Sequence, residues 1–367
     1  MIPHTSLDVA RLSPAAQRAL GPGPGRTMAA RGLLPLAPAD QIAVLYQLSL
    51  DTESTLAQSA RATAAAVPDK LLAGALAQPT TDPRVLDFFA QLIADKPAVF
   101  DAIALNPAVA DQTIATLASR AGSREVDQIA QNEQRLLRHP EIIAAMYMNR
   151  RARMSTIDRV VELAVRNNVR VPGLAAWDEV ARALTGAPPA SADGDAMFAA
   201  MAATTVRDDS VLTAGDAEQA LPEDEAPAGA APIDEEDERK LSIPMKVRLA
   251  TLGDAFERAK RIRDPVRMVA IAAIKAPGVT DIEAARYAGN QALAEDVIRY
   301  IAANRNWTKL YAVKVSLCRN PKAPISETTR FLPFLRQKDL VNLSKSKSVP
   351  SAVAALARKL VMQRSAK

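Results

Sequence analysis

The chain is poor in the residues that most often carry chemistry. Cysteine occurs once, at Cys318, and histidine twice, at His4 and His139. One cysteine excludes an intramolecular disulfide and a thiolate metal cage, and the two histidines are too far apart in sequence to share a local metal-binding motif. The only glycine-rich stretch, Gly21 to Gly25, reads GPGPG. Its prolines remove the amide donors that a phosphate cradle needs, and no nucleotide-binding or nucleophile-elbow motif occurs elsewhere. No apolar run approaches the roughly 20 residues that span a bilayer. The start, MIPHTSLDVARLSPAAQRAL, lacks a charged-then-apolar leader. These absences predict a non-enzymatic protein with no cofactor and no metal, in the cytoplasm and not in a membrane.

Aromatics make up only 4% of the chain although apolar residues reach 49%, much of it alanine. That balance suits thin layers of closely packed helices and predicts an all-α fold. A length of 367 residues accommodates two domains, each with its own core. Charge divides the chain more sharply. Residues 1–190 hold 19 Lys and Arg against 18 Asp and Glu; residues 191–239 hold 2 against 14, net −12; residues 240–367 hold 25 against 9, net +16.

The expected organisation is a flexible lead over 1–38, a helical repeat domain over 39–184, an acidic disordered linker over 185–240 and a basic helical repeat domain over 241–363. From Asp40 the apolar spacing is helical, with Ile42, Leu45, Tyr46 and Leu48 on one side. Pro68, Pro79, Pro83, Pro97 and Pro107 then recur where new helices can begin. The linker combines high net charge with few large apolar residues, too little burial to offset chain entropy. Within it, Met197, Phe198 and Met201 could form one face of a short helix, read either as transient helicity or as a docking motif.

The C-terminal region repeats a five-residue corner: Ala276-Pro277-Gly278-Val279-Thr280, Asn290-Gln291-Ala292-Leu293-Ala294, Asn304-Arg305-Asn306-Trp307-Thr308, Asn320-Pro321-Lys322-Ala323-Pro324 and Ser346-Lys347-Ser348-Val349-Pro350. Asparagine is expected to end one helix in the left-handed conformation, the fourth residue to tuck under the corner, and Thr or Pro to open the next helix. Related corners occur at Asn106-Pro107-Ala108-Val109-Ala110 and Asn168-Val169-Arg170-Val171-Pro172. Helices of eight to ten residues remain between corners, too short to be stable unless stacked.

This grammar, centred on Arg319-Asn320-Pro321-Lys322-Ala323-Pro324, resembles the HEAT-like superfamily of α-solenoids, and most closely the leucine-rich repeat variant group of bacteria. The resemblance covers 243–361 well and 40–184 loosely. The C-terminal region is also similar to a domain of bacterial proteins of unassigned function. The resemblance implies two α-solenoid-like arrays. The cysteine-rich cluster that holds an iron–sulfur centre in some members has no counterpart, so no cofactor carries over.

The first functional expectation is a scaffold that binds a protein partner through its helical repeats, the partner being acidic if charge selects it. The alternative is binding of a nucleic-acid backbone by a basic face comprising Lys260, Arg261, Arg263, Lys314, Arg319, Lys322, Arg336, Lys338, Lys345 and Lys347. Trp307, Tyr311, Phe331 and Phe334 could stack on bases or fill the core equally well. Adjacent charges of −12 and +16 suggest that the linker folds back on the basic array and competes with an acidic partner. Cys318 is read as a small buried hydrophobe, with activation by Arg319 as the alternative. Nothing in the residues sets the oligomeric state.

Overall fold

The computed structural model describes residues 2–93, 96–185, 191–204 and 240–365. They are helical with short turns, and no strand occurs among them. The chain forms two compact units, Met1–Gly173 and Leu174–Lys367.

In the first unit the helices are α1 (Pro14–Leu20), α2 (Pro24–Ala30), α3 (Pro38–Ser49), α4 (Ser54–Ala66), α5 (Asp69–Leu76), α6 (Pro83–Ile93), α7 (Pro97–Ala104), α8 (Asp111–Ala118), α9 (Ser123–Ile129), α10 (Glu133–Arg138), α11 (Glu141–Met148) and α12 (Met154–Arg166). Helices shorter than about 12–15 residues are marginal alone, and here most pack on a next-but-one neighbour, while α11 packs chiefly on α8. One row runs α1, α3, α5, α7, α9 and another α2, α4, α6, α8. Both rows present apolar stripes to a common core that includes Leu45, Leu48, Leu72, Leu76, Phe89 and Phe100. Pro83 and Pro97 open helices as expected.

The N-terminal lead, expected to be flexible, is folded. Pro14 and Pro24 each occupy the first position of a helix, where a missing amide costs nothing. Gly23 precedes Pro24 at φ 120°, a conformation only glycine adopts readily. The GPGPG stretch is thus a hinge between two helices. His4 Nε2 lies 2.8 Å from the Asp87 carboxylate, which also accepts from Gln91 and Thr113. Tyr46 Oη donates to the Thr5 carbonyl, and Leu7 N to Gln47.

The second unit comprises α13 (Trp177–Leu184), α14 (Ala192–Thr204), α15 (Ile243–Leu252), α16 (Ala255–Arg261), α17 (Arg267–Ile274), α18 (Asp281–Gly289), α19 (Glu295–Ala303), α20 (Tyr311–Arg319), α21 (Ile325–Phe331), α22 (Gln337–Lys345) and α23 (Ser351–Ser365). The same alternation holds: α15 on α17, α17 on α19, α18 on α20 and α20 on α22. Two differences from the expected organisation lie at its start. First, α13 packs on α15 and α17 and so belongs with the C-terminal helices, because Trp177, Val180 and Ala183 form a buried stripe. Second, part of the expected linker is a packed helix. In α14, Ser191 caps the first turn through the Gly194 amide, and Phe198, Met201 and Ala202 are buried. Met197 is half-buried, and α14 packs on α15, with Arg248 stacked 4.3 Å from the Phe198 ring centroid. Averaged charge over 185–240 concealed this stripe. The rest of the expected linker, 186–190 and 205–239, lies outside the described residues.

The corners are tied by a device that spans repeats. Asn106 Nδ2 donates to the Leu76 and Gln78 carbonyls, Asn149 Nδ2 to those of Ala118 and Ala121, and Asn320 Nδ2 to those of Ala288 and Asn290. In each, Oδ1 accepts the amide two residues on, from Ala108, Arg151 and Lys322. One side chain therefore shapes its own turn and satisfies helix-end carbonyls about 30 residues earlier. The expected left-handed role is corrected: Asn290, Asn304 and Asn320 have extended backbone, as does Asn149 after α11, and among the described non-glycine residues only Asn168 has positive φ, at 53°. An extended residue leaves the amide free to reach across, which a left-handed cap does not require. The fourth residue is buried at Val109, Val171, Leu293, Trp307, Ala323 and Val349.

Candidate binding surfaces

An open groove of about 290 Å³ lies among α13, α17 and α19. It forms because each helix buries one face and turns a mixed face outward. In α19, Val297, Ile298 and Ile301 are buried, leaving Asp296, Arg299, Tyr300 and Ala303 on the groove side. From α17 come Arg267, Met268, Ile271 and Lys275, spaced so that a helical period brings them to one side. Met268, Ile271, Tyr300 and Ala303 supply its apolar lining.

The charges around the groove are paired. Glu179, buried on α13, receives Lys275 Nζ at 2.9 Å and Arg182 Nη2 at 3.4 Å. Arg267 meets Asp296 at 2.5 Å, and Arg299 meets Glu295 at the same distance. Lys275 Nζ also sits 5.8 Å from the Tyr300 ring centroid. Ionisable groups from three helices converge here, but carboxylates and amine are engaged with one another, so the arrangement offers oriented polar contacts and not a free base or nucleophile.

The ten cations expected on one basic face have different fates. Arg261 is corrected: it is 1% exposed, its Nε donating to Glu257 Oε1 at 2.5 Å one helical turn away. Lys260 is half-buried beside it, whereas Arg263 is exposed. Lys322 is exposed, yet its ammonium reaches the Leu293 carbonyl at 2.7 Å and so supports the preceding corner. Arg336, Lys338, Lys345 and Lys347 are exposed. Arg319 pairs with Asp339 at 3.2 Å.

Of the four candidate stacking aromatics, Trp307 and Phe331 are buried in the core. Tyr311 is half-buried, donates its hydroxyl to Asp339 at 2.6 Å and carries the Arg336 guanidinium 4.7 Å from its ring centroid. Burial and that hydrogen bond to Asp339 raise the Tyr311 phenol above its ordinary pKa. Phe334 is 69% exposed, with Lys314 Nζ 5.3 Å from its ring centroid.

Cys318 is fully buried, and its thiol lies 3.6 Å from the Thr328 carbonyl. Burial pushes the thiol up to about 12. Arg319 is directed at Asp339 and does not activate it. The folded chain should therefore resist thiol-modifying reagents at pH 8 and label only as fast as it unfolds. Rapid stoichiometric labelling in native buffer would show that the site is open.

Among the described residues, no helix is long and apolar enough to cross a membrane and no group of three or more His, Cys, Asp or Glu could hold a metal. Comparison with known protein families, curated proteins and solved structures finds no match. The fold defines an all-α protein of many short, packed helices, consistent with a helical repeat. The resemblance to the HEAT-like and leucine-rich repeat variant groups rests on the corners alone.

Proposed function

We propose that the chain is a non-enzymatic scaffold built of two α-solenoid-like arrays, the second of which holds a protein partner in the groove of α13, α17 and α19. The next-but-one packing and the asparagine ties support the repeat reading. The binding reading is carried by one observation: an apolar lining of Met268, Ile271, Tyr300 and Ala303 ringed by charges already matched within the protein. Paired charges orient a ligand's polar groups without demanding a counter-charge, while the apolar lining rewards a buried side chain. That is the division between core and rim in protein interfaces. An apolar anchor in an otherwise polar segment fits both parts.

Selection from a displayed peptide library tests this on the full-length chain. Ala303 is exposed at the groove, so Ala303→Arg crowds it while sparing the buried stripe of α19. Wild-type protein should enrich peptides sharing an apolar anchor, and Ala303→Arg should weaken them by about tenfold or more, the loss of one well-buried contact. Equal enrichment on both proteins would sink the groove as the site. The nucleic-acid alternative falls on other residues, those around Phe334.

A further inference from the structure

Residues 304–367 hold 14 Lys and Arg against only two carboxylates, Glu327 and Asp339, a net of +12. Both carboxylates are already committed, Glu327 to Arg330 at 3.0 Å and Asp339 to Arg319 and the Tyr311 hydroxyl. The excess of positive charge is therefore not answered within this stretch. In the middle of it stands Phe334, the most apolar kind of side chain held in water. It ends a short 3-10 turn, Leu332–Phe334. That turn is fixed by Arg364, whose guanidinium donates to the Leu335 carbonyl at 2.7 Å and to the Pro333 carbonyl at 2.5 Å. A charged side chain thus holds the backbone of the turn that carries the exposed ring. Lys314 and Arg336 flank the ring and Tyr311 respectively.

We propose that this surface binds single-stranded nucleic acid, with Phe334 stacking on a base and Lys314, Arg336 and Lys338 meeting phosphates. The chemistry selects the ligand. An exposed ring on a backbone-tied turn is suited to a base face, which a single strand offers and a duplex hides. Lys314 beside the ring, with the exposed Arg336 and Lys338 next to it along the chain, suits a backbone that carries one charge per nucleotide. A second copy of the chain is disfavoured by the repulsion of +12 against +12. This surface shares no residue with the groove, so the inference stands or falls independently of the proposed scaffold role.

The test is fluorescence anisotropy of the full-length chain with a labelled 20-nucleotide oligo(dT), the same oligonucleotide as a duplex, and a labelled poly-glutamate peptide of similar charge. Single strand should bind most tightly, with log K falling linearly against log salt at about 0.7 per phosphate contacted. Phe334→Ala should weaken it by roughly 5- to 150-fold, the worth of one stacked base, and Phe334→Trp should preserve it. Lys314→Ala combined with Arg336→Ala should flatten the salt dependence by about one contact or more. Phe334 and Arg336 are exposed and Lys314 is half-buried, and the helical signal and unfolding midpoint of both variants verify the fold. No binding of the single strand at 50 mM salt overturns the proposal. So does unchanged affinity in Phe334→Ala, or poly-glutamate binding as tightly as oligo(dT), which would make the surface a site for an acidic protein.

Discussion

Asn320→Asp should lower the stability of the C-terminal unit by about 3–5 kcal/mol, and Asn320→Ala by about 2–4 kcal/mol. Asn320 is 1% exposed and makes three hydrogen bonds, two donated to the Ala288 and Asn290 carbonyls and one accepted from the Lys322 amide. Alanine abandons all three groups, the Ala288 carbonyl in a buried place and the other two part-buried. Aspartate keeps the turn but turns a carboxylate toward two carbonyl oxygens, with no donor to offset the repulsion. Asn304→Asp provides the contrast, because that side chain accepts from the Asn306 amide in an exposed turn, and it should cost under about 1 kcal/mol. Denaturant titration of the full-length chain followed by tryptophan fluorescence reads this unit selectively, since both tryptophans, Trp177 and Trp307, lie within it. Equal losses for Asn304→Asp and Asn320→Asp would mean that the reach across repeats adds nothing.

Glu283→Ala should be comparably severe, costing about 3–5 kcal/mol. Its carboxylate receives the Arg258 guanidinium through two bonds of 3.0 Å, both side chains being 5% exposed. The same carboxylate accepts from the Thr280 amide at 2.8 Å and completes the capping box of α18. Arg258 also donates to the Gly253 carbonyl, and a side chain at Gly278 would meet its guanidinium at 2.8 Å. A side chain in place of Gly278 would therefore have to displace the guanidinium that Glu283 holds. Truncating Glu283 leaves a buried cation without its counter-ion. Removing both charges, as in Arg258→Met with Glu283→Leu, should cost less than Glu283→Ala alone, because most of the single-variant penalty is the stranded arginine. A double variant as unstable as the sum of the two singles would contradict that reading.

What was legible in the sequence was local. Short helices, their proline starts and the buried fourth residue of most corners follow from spacing along a few residues, and Leu293, Ala323 and Val349 behave accordingly. Arg261 follows Glu257 by one helical turn, a spacing that marks the two side chains as partners. The function of the corner asparagines was not, because their partners lie about 30 residues back and no local pattern marks a carbonyl as orphaned. GPGPG reads as a breaker, whereas Pro24 starts a helix and Gly23 supplies the bend before it. Phe198 and Met201 were hidden by the acidity of their surroundings. The groove joins residues from 179 to 303, so only the folded arrangement brings them together.

The ties between successive helix pairs are the element on which the repeat account depends, and amide hydrogen exchange of Asn320→Ala against wild type measures one of them directly. Loss of protection is expected at both ends, in 320–324 and also in 286–293, roughly 30 residues earlier along the chain. Faster exchange confined to 320–324 would show that the asparagine shapes only its own turn.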